Sequence, residues 1–346
     1  MGSRSIISVS NLKMTFGKML VLKDVNLEIE EGEIFGVVGL SGSGKTTFLN
    51  LLAGVLEPDS GDVKYRLPEK PKKKKKKEDK KAANKPNKAE QEDSSMKSVR
   101  KKPLKVRQVF GFAAQEPSFY MQLTVKENLN YFSSMYGMDR KTRKENIETV
   151  LGLVGLDNFS KLRAGQLSGG MKKRLDIACS MVHNPRVLIL DEPTSDLDPL
   201  LREQMMQIIR KININGTTVI VASHFLKDME RLCNRIGILH NNTIGTIGTP
   251  DHIKRLYTKN DEIHIETFPG KYDDITKKLQ HAKGAKISKI VNLGHKLVIY
   301  TPEAIKVMHH VLEILQKSDE HLIDIDLAKP TLREVFETLV KGDKSG

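Results

Sequence analysis

Residues 39–46 read Gly-Leu-Ser-Gly-Ser-Gly-Lys-Thr and match the phosphate-binding pattern G-x-x-x-x-G-K-[ST] at every fixed position. Glycines let such a loop curl so that the backbone N–H groups of residues 42–47 point inward at the β- and γ-phosphates of a nucleotide. Lys45 adds a mobile cation for the same oxygens, and the hydroxyl of Thr46 suits Mg²⁺. The residues that we expect to bind the nucleotide here are Gly39, Ser41, Gly42, Ser43, Gly44, Lys45, Thr46 and Thr47.

Two carboxylates and an imidazole follow apolar runs farther along the chain. Residues 186–190 have the pattern of a buried strand, and Asp191 and Glu192 come directly after them. Two carboxylates at the end of a buried strand are costly unless a cation lies there, so we expect Mg²⁺ at Asp191. Glu192 then faces the γ-phosphate and can take a proton from water. A second apolar run, residues 217–222, places His224 at the same sheet edge.

Three further positions carry weaker local signals. Gln115 follows an apolar run, and its amide could reach a metal or an attacking water, although surface glutamines are common. Phe16 could stack on an adenine ring or simply fill the core. Ser168, Gly169 and Gly170 open a helix, where they make either a second phosphate site or an ordinary N-cap. Spacing alone leaves these alternatives open.

The elements that must position these residues are short. Residues 33–38 form an apolar, β-rich run before the phosphate loop, and residues 46–56 carry apolar positions at helical spacing after it. Helical spacing recurs over residues 123–154, which predicts a helical subdomain with an apolar surface suited to docking another protein. The sequence therefore predicts an α/β protein whose reactive residues lie at strand ends.

Positive charge is concentrated in one segment. The 346-residue chain has a formal net charge of +14, and residues 64–107 alone hold 19 Lys and Arg against 6 Asp and Glu, a net +13. Residues 67–103 include six consecutive lysines and almost no apolar side chains, so we expect a flexible loop. This loop is interpreted as a solvated tether, as a contact with anionic lipid headgroups or as a contact with RNA. Because it has no aromatic residue on which bases could stack, the nucleic-acid interpretation is weakened.

Apolar runs and cysteines bear on the compartment. No apolar run approaches the roughly 18 to 20 residues that cross a bilayer, and no apolar stretch follows a charged N-terminus. We therefore expect a chain that neither spans a membrane nor is exported. Cys179 and Cys233 lie in apolar-patterned segments and are expected to be buried free thiols in the reducing cytoplasm.

Five of these elements occur in an order that is typical of one family. The order is the phosphate loop at 39–46, Gln115, the Leu-Ser-Gly-Gly-Met run at 167–171, the strand and carboxylates at 187–192, and His224. Over residues 5–257 the chain resembles the nucleotide-binding subunit of an ATP-binding cassette (ABC) transporter, with its Walker A, Q-loop, LSGGQ, Walker B and switch-histidine elements. P-loop GTPases and kinases share the first element and lack the Leu-Ser-Gly-Gly one. Met171 and Phe16 replace the usual Gln and Tyr, and neither change removes a phosphate ligand.

The resemblance implies a P-loop NTPase fold of the ABC ATPase type, with a RecA-like core, a β subdomain and a helical subdomain. It also implies that ATP and Mg²⁺ bind between the phosphate loop of one subunit and the Ser168–Gly170 tip of a second cassette, and that hydrolysis lets the pair separate. Catalytic roles then fall to Lys45, Gln115, Glu192 and His224, and Mg²⁺ ligation to Thr46, Gln115 and Asp191. The nucleotide-binding set is completed by Phe16 at the adenine and by Ser168, Gly169, Gly170 and Asp198.

Beyond Tyr257 the apolar pattern changes. Residues 258–346 predict a βαββαβ order, which is typical of a small ferredoxin-like α+β domain. A last helix is predicted to begin at Thr331, where Glu334 completes a capping box. Residues 329–336 are similar to the C-terminal extension of the ABC subgroup that includes drug, antibiotic and sodium exporters. The predicted domains are 1–257, an ABC ATPase with the Lys-rich insertion 67–103, and 258–346.

Three functions compete for this sequence. The resemblance favours an ATPase that energises a separate transmembrane permease at the inner face of the cell membrane, as a homodimer or heterodimer of cassettes. A soluble ABC protein that acts on ribosomes or nucleic acid would explain the basic insertion, but such members carry two cassettes in one chain and this chain has one. A non-catalytic cassette is disfavoured by the presence of Lys45, Asp191, Glu192 and His224. Export is the expected direction of transport.

Overall fold

The computed structural model describes residues 4–66, 96–101, 108–257, 260–281, 286–328 and 331–342. The chain divides into two compact units, Met1–Ile247 and Gly248–Gly346. The second unit begins ten residues before the predicted boundary because helix Pro250–Tyr257 packs against the last helix, Leu332–Gly342.

The described strands of the first unit are β1 (Ser5–Phe16), β2 (Met19–Glu30), β3 (Ile34–Val38), β4 (Ser60–Arg66), β5 (Met96–Ser98), β6 (Phe110–Ala113), β7 (Val187–Asp191), β8 (Thr218–Ser223), β9 (Arg235–His240) and β10 (Thr243–Gly248). Its described α-helices are α1 (Lys45–Leu52), α2 (Val125–Met135), α3 (Arg140–Val154), α4 (Gly169–Met181), α5 (Pro199–Ile214) and α6 (Leu226–Leu232). The helix predicted over 46–56 is shorter because the chain turns at Gly54, whose φ is +65°.

The central sheet has the strand order β10-β9-β3-β8-β7-β6. The pairs β3–β8, β3–β9, β7–β8 and β6–β7 are parallel. Every residue of β3, β7 and β8 is buried, as expected for strands covered on both faces. The carboxyl ends of β3, β6, β7 and β8 therefore lie at one edge of the sheet, as the sequence predicted for its reactive residues.

A second, antiparallel sheet has the order β2-β1-β4-β5. Apolar residues of β1, β2 and β4 form one core with α1 and the central sheet, and Phe48 and Leu52 of α1 are fully buried in it. The prediction of a flexible loop over 67–103 is wrong at its C-terminal end, because Met96 pairs with Arg66 in this sheet and Val99 is buried. Residues 67–95, 102 and 103 of that prediction lie outside the described residues.

Helices α2, α3 and α4 pack against one another and form the helical subdomain predicted from residues 123–154. The run is divided into two helices, because the chain turns at Gly137 with a φ of +68°. Thr124 and Glu127 form a reciprocal capping box at the start of α2, and the Asp139 side chain caps α3. Among the described residues, no helix has both the length and the hydropathy that a membrane span requires.

The second unit contains α7 (Pro250–Tyr257), β11 (Asp261–Phe268), α8 (Tyr272–His281), β12 (Lys289–Asn292), β13 (Leu297–Thr301), α9 (Ala304–Gln316), β14 (His321–Ala328) and α10 (Leu332–Gly342). Its sheet has the antiparallel order β12-β13-β11-β14, which confirms the predicted βαββαβ domain. Ile263, Ile299 and Val307 belong to its separate apolar core. The backbone N–H of Glu334 donates to the Thr331 hydroxyl, as the predicted capping box requires.

Candidate active site

Four strand ends meet at one cleft of about 330 Å³. The phosphate loop follows β3, Gln115 follows β6, Glu192 follows β7 and His224 follows β8. The cleft is lined by Phe16, Met19, Val21, Ser41, Gly42, Gly44, Lys45, Thr46, Thr47, Gln115, Glu192, Ser195 and His224. Most residues that the sequence singled out are thus brought together by the parallel sheet, while Met19, Val21 and Ser195 had no local signal.

The phosphate loop needs its glycines for conformation and for space. Gly42 and Gly44 have φ values of +77° and +103°, which side chains rarely tolerate. A Cβ at Gly39 would lie 2.6 Å from the Ser43 hydroxyl oxygen and 2.7 Å from the Leu239 carbonyl oxygen. Ser43 Oγ is buried and has no hydrogen-bond partner among the described residues. A phosphate oxygen in the loop would satisfy this hydroxyl, so the loop fits an anionic ligand.

Lys45 lies at the base of the loop with its ammonium held by carbonyl groups. Its Nζ donates to the carbonyl oxygens of Gly39 at 3.1 Å and Leu40 at 3.0 Å, and it lies 3.8 Å from Glu192 Oε1. Burial lowers the pKa of Lys45, and the neighbouring carboxylates of Glu192 and Asp191 partly offset that effect. A phosphate group entering the loop would provide the counter-charge that this buried cation has only at 3.8 Å.

Glu192 is held in place on both carboxylate oxygens. Ser223 Oγ donates to Oε2 at 3.1 Å, while His224 donates to Oε1 from Nδ1 at 2.9 Å and from its backbone N–H at 3.2 Å. The residue has a φ of +50°, a left-handed conformation that costs about 1–3 kcal/mol outside glycine. Its backbone N–H donates to the Ala222 carbonyl at 2.9 Å. The strand-to-turn geometry thus fixes a carboxylate beside the cation of Lys45 and the imidazole of His224.

Asp191 is buried without such donors. Neither of its carboxylate oxygens has a hydrogen-bond partner of ordinary geometry among the described residues. Burial raises the pKa of Asp191, and the Thr46 hydroxyl and Lys45 ammonium partly offset the rise. Asp191 and Gln115 also line one small cavity beside the cleft. An unpartnered carboxylate, an amide and the nearby Thr46 hydroxyl are oxygen donors of the kind that Mg²⁺ prefers, so these residues fit the metal.

The rim of the cleft is apolar on one side. Phe16 is 48% exposed at the end of β1 and pairs across the hairpin with Met19, which is 63% exposed. Val21 lines the cleft beneath them. A flat aromatic face next to two apolar side chains can accept a nucleotide base by stacking. The exposure of Phe16 excludes a role as a filler of the core.

The remaining predicted residues lie outside this cleft. Ser168 caps α4, with its hydroxyl accepting from the Met171 backbone N–H at 3.3 Å. Ser168 and Gly169 are exposed, and neither they nor Gly170 line the cleft. Asp198 is exposed and caps α5 by accepting from the Leu201 backbone N–H at 2.9 Å. One chain therefore does not bring the second phosphate-binding element to the first.

Comparison with known proteins identifies the family. The family model for the ABC transporter matches residues 22–195, which is half of the chain and includes the phosphate loop, Gln115, Ser168, Asp191 and Glu192. The chain belongs to the ABC transporter family. It is therefore an ATP-binding enzyme of the ABC ATPase class, and its P-loop NTPase fold agrees with the resemblance noted from the motifs.

Several curated ABC relatives have names that refer to drugs and antibiotics. The chain is 31% identical over 70% of its length to the linearmycin resistance ATP-binding protein LnrL of Bacillus subtilis, covering 69% of that protein. It is 30% identical to the lantibiotic transport ATP-binding protein SrtF of Streptococcus pyogenes, over 69% of this chain and 89% of the relative. A probable multidrug ABC transporter ATP-binding protein of Escherichia coli, YbhF, is 33% identical over 75% of this chain but only 39% of its own length.

Solved structures agree on the ABC cassette. The dimeric bacterial ABC transporter cassette MJ0796 is 27% identical, covers 70% of this chain and 98% of its own, and superposes with a TM-score of 0.56. The CbiO1 subunit from Clostridium perfringens, at 23% identity, covers 80% of this chain and 95% of its own with a TM-score of 0.59. The second of these likenesses supports the fold alone.

Proposed function

We propose that this chain powers a separate transmembrane permease by binding and hydrolysing ATP as one of a pair of cassettes. One observation supports the pairing. The cleft of a single chain holds the phosphate loop, Glu192 and His224, whereas the Ser168–Gly170 tip, of which Ser168 and Gly169 are exposed, lies outside that cleft. A second cassette, either a copy of this chain or a related one, would supply the missing tip.

Each residue of the cleft has a distinct role in binding. The N–H groups of residues 42–47 and the ammonium of Lys45 hold the β- and γ-phosphates, and Phe16 stacks on the adenine. Lys45 exchanges its 3.8 Å approach to Glu192 for direct contact with phosphate oxygens. Mg²⁺ held by Thr46, Gln115 and Asp191 would neutralise charge on those oxygens during transfer.

The acidic and basic groups beside the γ-phosphate handle the water. Glu192 Oε1 accepts the proton of the attacking water, because its position is already fixed by donors from Ser223 and His224. His224 Nδ1 donates to Oε1 at 2.9 Å and so aligns that carboxylate. The His224 side chain is 47% exposed, and the opposite edge of its ring faces the γ-phosphate. Catalysis of this kind depends mainly on positioning and on charge stabilisation.

ATP joins the two cassettes through its charge. The triphosphate lies between the phosphate loop of one chain and the N-terminal tip of α4 in the other, both of which present N–H groups and a positive helix end. Asp198, which caps α5 next to this tip, contacts the same composite site. Hydrolysis removes the bridging γ-phosphate, so the two chains separate and the permease moves.

An exposed apolar patch suits the permease contact. Four apolar side chains here are between 39% and 68% exposed: Tyr120, Met121, Tyr131 and Met135. The rings of Tyr120 and Tyr131 are in edge contact, with their centroids 4.9 Å apart. Such a patch on the helical subdomain favours a protein partner. The names of the relatives refer to linearmycin resistance, lantibiotic transport and Nod factor export, which supports export from the cytoplasmic face of the membrane. The net charge of +13 over residues 64–107 would attract anionic lipid at that face.

Glu192→Gln tests the hydrolytic role. We expect this variant to bind ATP and to form the dimer, because the amide keeps the size of the side chain, and to hydrolyse ATP at least about 100-fold more slowly. Phosphate release, fluorescent-nucleotide binding and light scattering after gel filtration measure the three properties. Glu148→Gln, an equivalent change at an exposed position of α3, should behave as wild type. Wild-type turnover in Glu192→Gln would remove Glu192 from this role.

A further inference from the structure

A lysine on α4 reaches the turn that carries the proposed catalytic carboxylate. Lys173 lies five residues after Ser168 on α4, and its side chain is partly buried. Its Nζ donates to Ser195 Oγ at 2.7 Å and to the backbone carbonyl oxygen of Glu192 at 3.3 Å. The same helix therefore begins at the Ser168 tip and, about one and a half helical turns later, hydrogen-bonds to the segment that contains Glu192.

The carbonyl that Lys173 contacts is the fixed point of that turn. It also accepts from the Ser195 backbone N–H at 3.2 Å and from Ser195 Oγ at 2.9 Å. Ser195 Oγ thus accepts from Lys173 while it donates to Glu192. Because Glu192 has a φ of +50°, its conformation depends on contacts that over-determine the turn, and Lys173 supplies the charged one.

The surroundings of Lys173 support an ammonium at this place. Burial lowers the pKa of Lys173, and the carboxylates of Asp196, Asp176, Glu192 and Glu116 offset the shift. Asp176 is also occupied by donors from Ser118, at 3.0 Å from both its backbone N–H and its hydroxyl. The ammonium is therefore shared among several acids, and its two hydrogen bonds are directed at the Glu192 turn.

We propose that Lys173 is a positioning residue that couples the two nucleotide sites of the cassette pair. This inference rests on the proposed function, in which the α4 tip of one chain contacts the nucleotide of its partner while Glu192 acts on its own. An α-helix transmits a displacement of its tip along its length, so the partner's nucleotide changes the position of Lys173 Nζ. Nζ in turn moves the Glu192 carbonyl and the carboxylate of that residue.

Lys173→Met tests the positioning role. It keeps the length and apolar stem of the side chain and removes both hydrogen bonds. We expect kcat for ATP hydrolysis to fall about tenfold or more, because misplacement of a reacting group lowers the rate steeply. KM for ATP should stay within about twofold, and the Hill coefficient for ATP should fall towards one. Lys173→Arg, which keeps a cationic donor, should recover most of the rate.

Matched variants separate coupling from packing. Lys172→Met makes the same change one residue earlier, where the side chain has no hydrogen bond or ion pair among the described residues, and it should keep wild-type kcat and cooperativity. Ser195→Ala removes one of the two Lys173 contacts, so its effect should not add to that of Lys173→Met in the double variant. If Lys173→Met does not fold, as judged by its thermal unfolding, Ser195→Ala alone provides the same test.

The outcomes distinguish this inference from the proposed function. Wild-type kcat in Lys173→Met would overturn the positioning role, and a lower kcat with an unchanged Hill coefficient would overturn the coupling. An equal fall in kcat for Lys172→Met would show that the loss follows helix charge and would also overturn the proposal. Wild-type hydrolysis by Glu192→Gln would instead contradict the proposed function itself, whatever Lys173→Met does.

Discussion

Asp191 and Glu192 are neighbours at the end of β7, yet their carboxylates have opposite surroundings. Glu192 accepts from Ser223 and twice from His224, whereas the oxygens of Asp191 have no hydrogen bond of ordinary geometry among the described residues and only the Thr46 hydroxyl and the Lys45 ammonium nearby. A buried unpartnered carboxylate destabilises the fold that contains it. This side chain is therefore positioned at the expense of stability, as is common where a site is built for a charged ligand.

Asp191→Asn should stabilise the ligand-free protein while it weakens Mg²⁺-dependent turnover. Burial raises the pKa of Asp191. At a pH between the pKa of this carboxyl in the unfolded chain and its pKa in the folded chain, the folded chain therefore binds more protons than the unfolded one. The free energy of unfolding therefore falls as pH rises through that window, and the loss persists at higher pH. The variant lacks this loss, so its free energy of unfolding should exceed that of wild type by about 1–3 kcal/mol at pH 8 and by less near pH 4.

Thermal unfolding at pH 4 and pH 8, without nucleotide, measures this difference. Adding Mg²⁺ and ATP should reverse the ranking, because only the wild-type carboxylate gains a cation. Asp319→Asn, which changes an exposed aspartate without a side-chain hydrogen bond or ion pair among the described residues, serves as the control. A variant less stable than wild type at pH 8 would contradict the prediction.

Sequence alone located the residues with a motif and missed those defined by the fold. Lys45, Glu192 and His224 stand at strand ends that a parallel sheet brings to one edge, so apolar runs sufficed to predict their meeting. Ser223 and Met19 reach the same site through pairings with no spacing rule: Ser223 bonds to a residue 31 positions earlier, and Met19 lies across a hairpin. Such neighbours follow only from the register.

At the scale of elements, α2, α4 and β6 meet at His183. Its ring stacks on Tyr136, at the end of α2, with centroids 3.6 Å apart and an interplanar angle of 7°. Its Nε2–H donates to the Phe110 carbonyl of β6 at 3.2 Å, while Nδ1 is buried without a partner among the described residues. The histidine thus links the helical subdomain to the central sheet in its neutral form.

His183 should make this joint sensitive to acid. Burial lowers the pKa of His183 from 6.5 to about 4, so between these values the unfolded chain binds more protons than the folded one. The free energy of unfolding therefore falls as pH drops from 6.5 to 4, by about 2–3 kcal/mol. His183→Gln keeps a donor for the Phe110 carbonyl and cannot titrate, so its stability should fall less over this range.

Urea unfolding at several pH values measures how steeply the free energy of unfolding depends on pH in wild type and in His183→Gln. His309→Gln, at an exposed position of α9, should leave the wild-type slope unchanged. Parallel pH profiles for His183→Gln and wild type would show that this ring does not titrate as described.

Element boundaries were predicted less well than element types. The end of the lysine-rich segment was predicted to be a flexible loop, but it contains β5, which is only three residues long, so the composition of the segment masked it. The domain boundary was placed after α7, since the apolar pattern changes at Tyr257. Helix α7 packs on α10, more than 70 residues later, and a pattern of local spacing contains no such contact.

At the scale of the whole molecule, each chain carries two half-sites that do not meet. The phosphate loop and Glu192 line one cleft, whereas the Ser168–Gly170 tip lies outside it and exposes Ser168 and Gly169 elsewhere on the same unit. Two-fold pairing of chains would create two composite sites, each built from one loop and the partner's tip. A defect in the loop and a defect in the tip would then fall on different sites of a mixed pair.

Complementation should expose this division. Lys45→Ala removes the cation of the loop, and Ser168→Glu places a negative charge at the tip, so each variant alone should be inactive because both of its composite sites are damaged. In a mixed pair, one site collects both substitutions and the other has neither. Equal amounts of the two variants that pair at random should therefore recover up to about one quarter of the wild-type ATPase rate. Mixing Lys45→Ala with Glu192→Gln should recover nothing, because both residues belong to the same cleft and every site in every pair is then damaged. Activity without mixing, or none after mixing, would mean that the tip of one chain does not complete the cleft of another.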